Sequence, residues 1–360
     1  MKIDPSKKRI TNDFFGKYTY AFLLLIVVGV FFLFCRFTVP FYGWHLTNDI
    51  RFTTEAKFLL ENGYCTYLSH PLLLEVFLSV SYYIFGIHYW SARLVPIIST
   101  LLSGIVLYYL SKLIYNKKTG LLSVTFFFTS PFIIFFGQKV QLEPLVIFFI
   151  LSCFYTYYKF LETKKRRFLL FSSISIFLGS WVDYPCLLAV IPILVISHSR
   201  KQWKGLVAIA LSGAVAIFSW LITFLIFSEE NLNVFFGHGA HWINFYQYFE
   251  NPYYYYRYFS YIVYFPTLLI IFFVLSLVTL KFNEKNKFLF YWAITYFLYS
   301  LFIFKATANH GYHLIYLILP MCIMTSHYLN EKYNEREISM IILINVALFL
   351  HYIIHLFNIK

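Results

Sequence analysis

The sequence predicts an all-α, polytopic membrane protein, and three observations carry this prediction. Hydrophobic residues make up 60% of the chain, charged residues make up only 12%, and the mean hydropathy is +0.68. A soluble fold of 360 residues could not cover so much apolar surface, because it has too few polar residues for its exterior. The net charge of +13 comes from short basic clusters between apolar runs, which is typical of membrane loops and not of a nucleic-acid-binding groove.

Apolar runs long enough for transmembrane helices, which need about 20 residues, recur along the whole chain. We predict about eleven such runs, at roughly residues 19–37, 92–114, 119–136, 145–161, 168–182, 184–198, 205–227, 258–280, 288–304, 311–328 and 338–357. The first run is not expected to be a cleaved signal peptide, since no small-residue cleavage site follows it. Residues 1–360 are therefore expected to form a single transmembrane domain.

The segment 71–86 decides the topology. It is apolar, but it is short for a span and contains Glu75. With this segment lying at the interface, 21 of the 29 lysines and arginines fall on the cytoplasmic side, as the positive-inside rule requires. We therefore predict a juxtamembrane helix on the outer face.

This topology gives a cytoplasmic tail at residues 1–18 and two longer outer loops, at 40–91 and 228–257. Most of the unusual polar residues fall in the outer segments, whereas the cytoplasmic loops are short basic turns. The activity is therefore expected at the extracytoplasmic face of the plasma (inner) membrane.

The first outer loop contains Asp49 and Arg51 at the start of a predicted helix, which Thr47 or Asn48 can cap. Asp49 could simply complement the helix dipole. Alternatively, it is a general base at the interface, with Arg51 nearby to bind an anion.

Two further positions are ambiguous on sequence alone. His70 precedes Pro71, and a lone histidine is usually a satisfied polar residue. Glu143 precedes Pro144 at the start of an apolar run, so it is either an acid at a helix N-terminus or a functional carboxylate in the second outer loop.

The sequence predicts no cofactor. Two His-x-x-His spacings, His238/His241 and His310/His313, could ligate a divalent metal, but neither loop contains the further local ligand that a zinc site needs. The five cysteines are scattered, without metal or disulfide spacing. A required metal is therefore not expected.

The order of several short motifs resembles the GT-C fold glycosyltransferases that use lipid-linked sugars. The group it is most similar to contains the protein O-mannosyltransferases and the lipid A aminoarabinose transferases. The motifs are Asn48-Asp49-Ile50-Arg51-Phe52, His70-Pro71-Leu72, Phe85-Gly86, Ala92-Arg93-Leu94, Tyr115-Asn116-Lys117-Lys118, Leu142-Glu143-Pro144 and Tyr312-His313 with Pro320. The resemblance covers residues 18–200 well and the remainder loosely.

This resemblance implies a single-displacement, inverting transfer of a sugar from a polyprenyl-phosphate donor to a hydroxyl of a protein, lipid or glycan. Asp49 is then the expected general base and Glu143 a second catalytic carboxylate. The residues expected to bind substrate are Arg51, His70, Lys139, Arg257 and His313.

Three departures from the pattern stand out. Asp49 takes the position of a glutamate, Glu143 replaces the usual aspartate, and Asp183 stands where relatives often have a lysine. A donor-phosphate cation would then be missing at residue 183, and Lys139, Arg257 or Lys305 must replace it. The Trp-Trp-Asp signature of oligosaccharyltransferases is absent, which argues against transfer of a preassembled glycan to asparagine.

Two other functions remain open at this point. A transporter or flippase would place ionisable groups near the bilayer midplane and often shows inverted repeats, whereas here the charges gather at one face and no repeat is apparent. A non-catalytic assembly subunit with the same fold is the other alternative, since the Asp-Glu pair that is usual in the family falls on Asn48-Asp49 in this chain.

Overall fold

The computed structural model describes residues 23, 25–41, 46–65, 70–227, 252–263 and 267–356. Every regular element in this described part of the chain is a helix, which confirms the predicted all-α class. The predicted tail at 1–18 and most of the loop at 228–257 lie outside the described residues.

The helices follow one another with short connections. The α-helices are α1 (25–33), α2 (Leu46–Asn62), α3 (Leu73–Phe85), α4 (Tyr89–Ile114), α5 (Lys117–Phe128), α6 (Pro131–Phe136), α7 (Glu143–Thr163), α8 (Arg166–Val182), α9 (Val190–Ser199), α10 (Trp203–Phe227), α11 (Pro252–Val263), α12 (Thr267–Val278), α13 (Glu284–Phe302), α14 (Phe304–Asn309), α15 (Ile315–Lys332) and α16 (Glu335–Leu356). Two 3-10 helices, Tyr184–Ala189 and Gly311–Leu314, lead into α9 and α15.

Five elements of the described chain are long and apolar enough to cross a membrane, so the predicted count of eleven is not confirmed. They are α4, α7, α10, α16 and the stretch Gly311–Lys332. The other predicted runs lie in helices that lack the length or the mean hydropathy of a full span, or extend beyond the described residues. The run 119–136, for example, breaks before Pro131, which has no backbone N–H to continue a helix and instead begins α6.

Helices α2 and α3 form a pair beside α4. With 13 residues, α3 is about 20 Å long, which is too short to cross the apolar core of a bilayer, as the interfacial assignment requires. It ends at Gly86, whose φ of 81° suits glycine. Glu75 is buried in the pair, and this burial raises its pKa to about 8, so the packed side chain is largely uncharged at neutral pH.

Arg93, at the start of α4, joins this pair to the first helix. Its guanidinium is 1% exposed and donates hydrogen bonds to the carbonyls of Arg36 (2.6 Å), Phe37 (3.1 Å) and Pro40 (3.2 Å). These bonds satisfy backbone oxygens where no helix continues, so Arg93 fixes the path of the chain into the first loop.

The centre of the bundle is α7, which packs against α4 on one side and α8 on the other. Small residues of α8 allow the close approach: Ser172 donates a hydrogen bond to the carbonyl of Cys153 at 2.9 Å. At Gly179, a Cβ atom would meet the Cβ of Phe149 at 2.7 Å and would also collide with Cys186. Helices in membranes commonly use small residues in this way, because lipid provides no hydrophobic drive for association.

Replacing Gly179 with alanine is therefore expected to destabilise the bundle by about 1–3 kcal/mol through overpacking. Gly213→Ala is the matched control, since the new Cβ would meet only the flexible end of Leu187 at 3.0 Å. Both changes add the same helix propensity, so the difference in thermal unfolding temperature of the two purified proteins isolates the packing effect. Equal unfolding temperatures would mean that α7 and α8 are not held this closely.

Candidate active site

A polar cavity of about 100 Å³ opens at the end of the bundle where α7 and α15 begin. We call it the polar cavity. It is lined by Asn48, Arg51, Phe52, His70, Gln141, Leu142, Glu143, Asp183, Tyr184, Ala306, His310, Tyr312 and His313. These residues come from segments that are far apart in the chain but meet at one end of the helices.

Each lining segment is an end of a helix or a turn beside one. Glu143 is the first residue of α7 and precedes Pro144 in the first turn. Asp183 ends α8 in an extended conformation, and its carboxylate accepts a hydrogen bond from the backbone N–H of Tyr184 at 2.9 Å. The segment that contains Tyr312 is joined to the first outer loop by a hydrogen bond between Tyr312 and Asn48.

Two buried carboxylates, Glu143 and Asp183, line the cavity, and each is only 2% exposed. They are close enough for their charges to interact. Glu143 accepts a hydrogen bond from its own backbone N–H, while Asp183 lies 3.4 Å from Nδ1 of His70. The cavity therefore presents carboxylate oxygens that could take a proton from a bound hydroxyl.

The positive side of the cavity comes from Arg51, whose guanidinium lies over the Phe52 ring at 5.3 Å from its centroid. His310 cannot add a charge at neutral pH, because burial, together with the nearby Arg257, lowers its pKa to about 4. An anion bound here would therefore depend on Arg51, with hydrogen bonds from the histidines.

Asp49 lies outside the lining of this cavity and forms a buried ion pair. Its Oδ2 is 2.9 Å from Nζ of Lys139, and its Oδ1 accepts a hydrogen bond from the N–H of Val140 at 2.8 Å. The side chains of Asp49 and Lys139 are 0% and 2% exposed. The pair therefore ties α2, which carries Asn48 and Arg51, to the turn that precedes α7.

Burial raises the pKa of Asp49 and lowers that of Lys139, because each charged form loses its hydration. Their mutual attraction and hydrogen bond act in the opposite direction on both groups. Each partner thus depends on the other to remain charged, which is characteristic of a buried pair.

The structure brings together Arg51, His70, Glu143 and His313 of the residues singled out in the sequence. It does not bring Asp49 or Lys139 to the cavity surface. Arg257 lies near His310 without lining the cavity, and it donates a hydrogen bond to the hydroxyl of Tyr253 at 3.1 Å.

Only part of the two predicted His-x-x-His pairs lies within the described residues. His238 and His241 lie outside the described residues, and so does the side chain of Lys305. Among the residues that are described, no three histidine, cysteine or acidic side chains are grouped in a way that could hold a metal ion.

Sequence reasoning noted Asp183 only as a departure from a pattern, and it did not assign Tyr184 or Tyr312 a role. The Trp-Val-Asp-Tyr-Pro stretch offered a signal, since a carboxylate after an apolar run and before a proline must end a helix. Nothing in the local sequence, however, indicated that this helix end faces Glu143.

Comparisons with known proteins agree on the fold. The sequence profile of the dolichyl-phosphate-mannose-protein mannosyltransferase family matches residues 69–227. A curated relative, undecaprenyl phosphate-alpha-4-amino-4-deoxy-L-arabinose arabinosyl transferase 1 of Proteus mirabilis, is 23% identical over 208 residues, which are 52% of this chain and 38% of the relative.

Among solved structures, ArnT from Cupriavidus metallidurans bound to undecaprenyl phosphate is similar, with a TM-score of 0.66 and 14% identity over 90% of this chain and 62% of that one. The oligosaccharyltransferase AglB from Archaeoglobus fulgidus, in complex with an inhibitory peptide and a dolichol-phosphate, is also similar. Its TM-score is 0.61, with 10% identity over 93% of this chain and 56% of that one. The chain thus spans less than two thirds of each of these proteins. The predicted resemblance to GT-C fold glycosyltransferases and the helical membrane fold are confirmed.

Proposed function

We propose that this chain is a membrane glycosyltransferase that moves a sugar from a polyprenyl-phosphate donor to a hydroxyl acceptor. The observation that carries the proposal is the polar cavity, in which the carboxylates of Glu143 and Asp183 face Arg51 and His70. The relatives support it, since one is an undecaprenyl phosphate aminoarabinose arabinosyl transferase and another was solved with undecaprenyl phosphate bound.

The reaction needs a base for the acceptor hydroxyl. In our proposal Glu143 takes the acceptor proton while the acceptor oxygen bonds to the anomeric carbon of the sugar. The bond from that carbon to the phosphate oxygen breaks at the same time, and polyprenyl phosphate leaves with the electron pair. Attack from the side opposite the phosphate inverts the anomeric centre, as the resemblance implies.

Glu143 suits this role because its carboxylate reaches the cavity and sits at the N-terminus of α7. Burial among apolar residues keeps competing water away and strengthens electrostatic interactions with the transition state. Asp183 adjoins it and, through His70, can orient the hydrogen-bond network.

The negative charge that develops on the leaving phosphate needs cations or hydrogen-bond donors to stabilise it. Arg51 is the lining cation, and a guanidinium can hold two phosphate oxygens at once. Lys139 is occupied by Asp49, so its predicted contact with the donor would require that ion pair to open. Arg257 and His313 stay as predicted substrate contacts, with His313 in the cavity wall.

The assignment of Asp49 as the general base stays a prediction from the sequence. Both of its oxygens already accept hydrogen bonds, from Lys139 and Val140, and it is fully buried. These contacts favour a positioning role, in which Asp49 holds Arg51 and Asn48 against the second loop.

We further propose that the polar cavity faces the extracytoplasmic side of the plasma (inner) membrane. The distribution of lysines and arginines supports this orientation, since the loops at the opposite end of the bundle are basic. A donor with its isoprenoid tail in lipid would then present its phosphate at the interface, beside α3. The acceptor is a hydroxyl of a protein, lipid or glycan.

The test is sugar transfer by the purified full chain in liposomes that contain a radiolabelled polyprenyl-phosphate sugar and a membrane extract as acceptor source. Label is expected to move from the donor lipid to another molecule. Movement of intact donor between leaflets without transfer would favour the flippase alternative, and activity that appears only with a second subunit would favour the assembly role.

Replacing Arg51 with alanine is expected to weaken use of the donor, since the leaving phosphate loses its charged partner. A charge-assisted hydrogen bond of this kind contributes about 1.5–3 kcal/mol, so kcat/KM for the donor should fall by roughly 10- to 100-fold. Lys57→Ala is the control, because Lys57 lies on the same helix but is exposed and pairs only with Glu61. Equal losses in both variants would contradict a phosphate role for Arg51.

A further inference from the structure

A second cavity, of about 340 Å³, lies at the opposite end of the bundle. We call it the basic cavity, and define it by Tyr115, Lys281, Lys285, Asn286, His327 and Lys332. His327 follows His313 of the polar cavity by 14 residues along one helical stretch, which corresponds to about 20 Å. The volume of the basic cavity falls within the roughly 300–1,000 Å³ that is usual for small-molecule sites.

The positive charge in this cavity is only partly compensated by the side chains that the structure describes. Lys281, Lys285 and Lys332 line it, against one carboxylate, Glu331, and none of the three ammonium groups forms an ion pair with a described acidic side chain. Two cations outside the cavity at this end do form ion pairs: Arg200 binds Glu162 and Glu284, and Lys118 binds Glu335. Glu284, the acid that adjoins Lys285 in the sequence, is therefore turned away from the cavity.

The wall of the basic cavity is held in place by specific contacts. Tyr115 donates a hydrogen bond to Oδ1 of Asn286, whose Nδ2 donates to the carbonyl of Lys281 at 2.8 Å. The ring of Tyr115 stacks on that of His327, with 3.7 Å between centroids and 14° between planes. The lysine-bearing turn is thus anchored to α4 and α15 and is already ordered for a ligand.

His327 adds a polar side chain to the wall of the basic cavity. Its Nδ1 is buried in the wall and has no hydrogen-bond partner among the described residues. The ring also lines the basic cavity, so its other nitrogen can form a hydrogen bond with an anion bound there.

We propose that the basic cavity binds a phosphate-bearing anion, with Lys281, Lys285 and Lys332 neutralising the phosphate and His327 completing its hydrogen bonds. The headgroup of an anionic phospholipid and a small soluble phosphate ester share this chemistry. Basic pockets between transmembrane helices at the cytoplasmic side bind anionic headgroups in this way.

The experiment measures binding to the purified full chain of two probes, dioctanoyl phosphatidylglycerol and glycerol 3-phosphate, with dioctanoyl phosphatidylcholine as the zwitterionic comparison. Lys285→Gln is expected to raise the Kd about fivefold, and Lys281→Gln with Lys285→Gln about 25-fold. Lys287→Gln is the matched control, since Lys287 is exposed on the same helix but outside the cavity. His327→Phe keeps a ring against Tyr115 while removing both nitrogens, and it should also weaken binding.

Tight binding of phosphatidylglycerol alone would identify a lipid headgroup site, and comparable binding of glycerol 3-phosphate would identify a soluble phosphate ester. Either result supports the proposal if Lys285→Gln weakens binding and Lys287→Gln leaves it within about twofold of the parent. Equal effects of the two lysine variants, equal binding of phosphatidylcholine, or no binding of either anion would overturn it. A sugar-transfer assay is not part of this test, so its outcome is independent of the proposed function.

Discussion

Replacing Glu143 with glutamine is expected to lower the turnover of sugar transfer by about 10²- to 10⁴-fold, the usual contribution of general acid–base catalysis. Glutamine keeps the shape of the side chain and its contacts at the start of α7, but it cannot accept the acceptor proton. The measurement is single-turnover transfer from a labelled polyprenyl-phosphate sugar, so that product release does not mask the chemical step.

The control for this variant is Glu162→Gln, near the C-terminal end of the same helix, where Glu162 pairs with Arg200 at 3.2 Å. It removes one carboxylate from α7 without approaching the polar cavity, so turnover should stay near that of the parent. Near-normal turnover in Glu143→Gln, combined with a large loss in Asp49→Asn, would move the base to Asp49. Full activity in both would contradict both assignments and leave Asp183 as the remaining carboxylate of the polar cavity.

Replacing Lys139 with methionine is expected to destabilise the protein by about 3–5 kcal/mol, because Asp49 would be left as an uncompensated buried charge. Methionine approximates the length of the lysine stem, so packing changes little. The measurement is the free energy of unfolding of the purified protein, or the shift in its thermal unfolding temperature in one detergent. Lys57→Met, at an exposed position of α2, is the control and should have little effect.

The double variant Asp49→Asn with Lys139→Met separates the two roles of Asp49. Removing both charges should recover most of the lost stability, because neither partner is then buried alone. If Asp49 only positions the first loop, turnover should recover together with stability. Recovered stability with turnover still reduced by 10²-fold or more would instead identify Asp49 as the base, as the sequence resemblance implies.

The two cavities give the bundle different chemistry at its two ends. The polar cavity combines Glu143 and Asp183 with Arg51, whereas the basic cavity has three lysines against one glutamate. A negatively charged lipid could therefore interact with either end, but of these two cavities it is the polar one that brings two carboxylates together. This difference is the reason that the transfer assay and the phosphate-binding assay can fail or succeed separately.

Local features of the sequence were sufficient for the class of protein and for part of the site. The composition excluded a soluble fold, and the motif order from Asn48 to Pro144 predicted the helical glycosyltransferase fold that the comparisons confirm. The same motifs singled out Arg51, His70 and Glu143, which line the polar cavity. The predicted count of eleven spans stays unconfirmed, and hydropathy did not indicate breaks such as the one before Pro131.

The partners of the charged side chains were decided only by tertiary structure. Asp49 and Lys139 are 90 residues apart and His70 and Asp183 are 113 apart, so no spacing along the chain indicates that either pair meets. The sequence by itself determined that this is a helical membrane protein with its unusual charges at helix ends, since hydropathy and helix-end chemistry are local properties. The fold decided which carboxylate is paired inside the protein and which lines the cavity, because this depends on how distant helix ends pack.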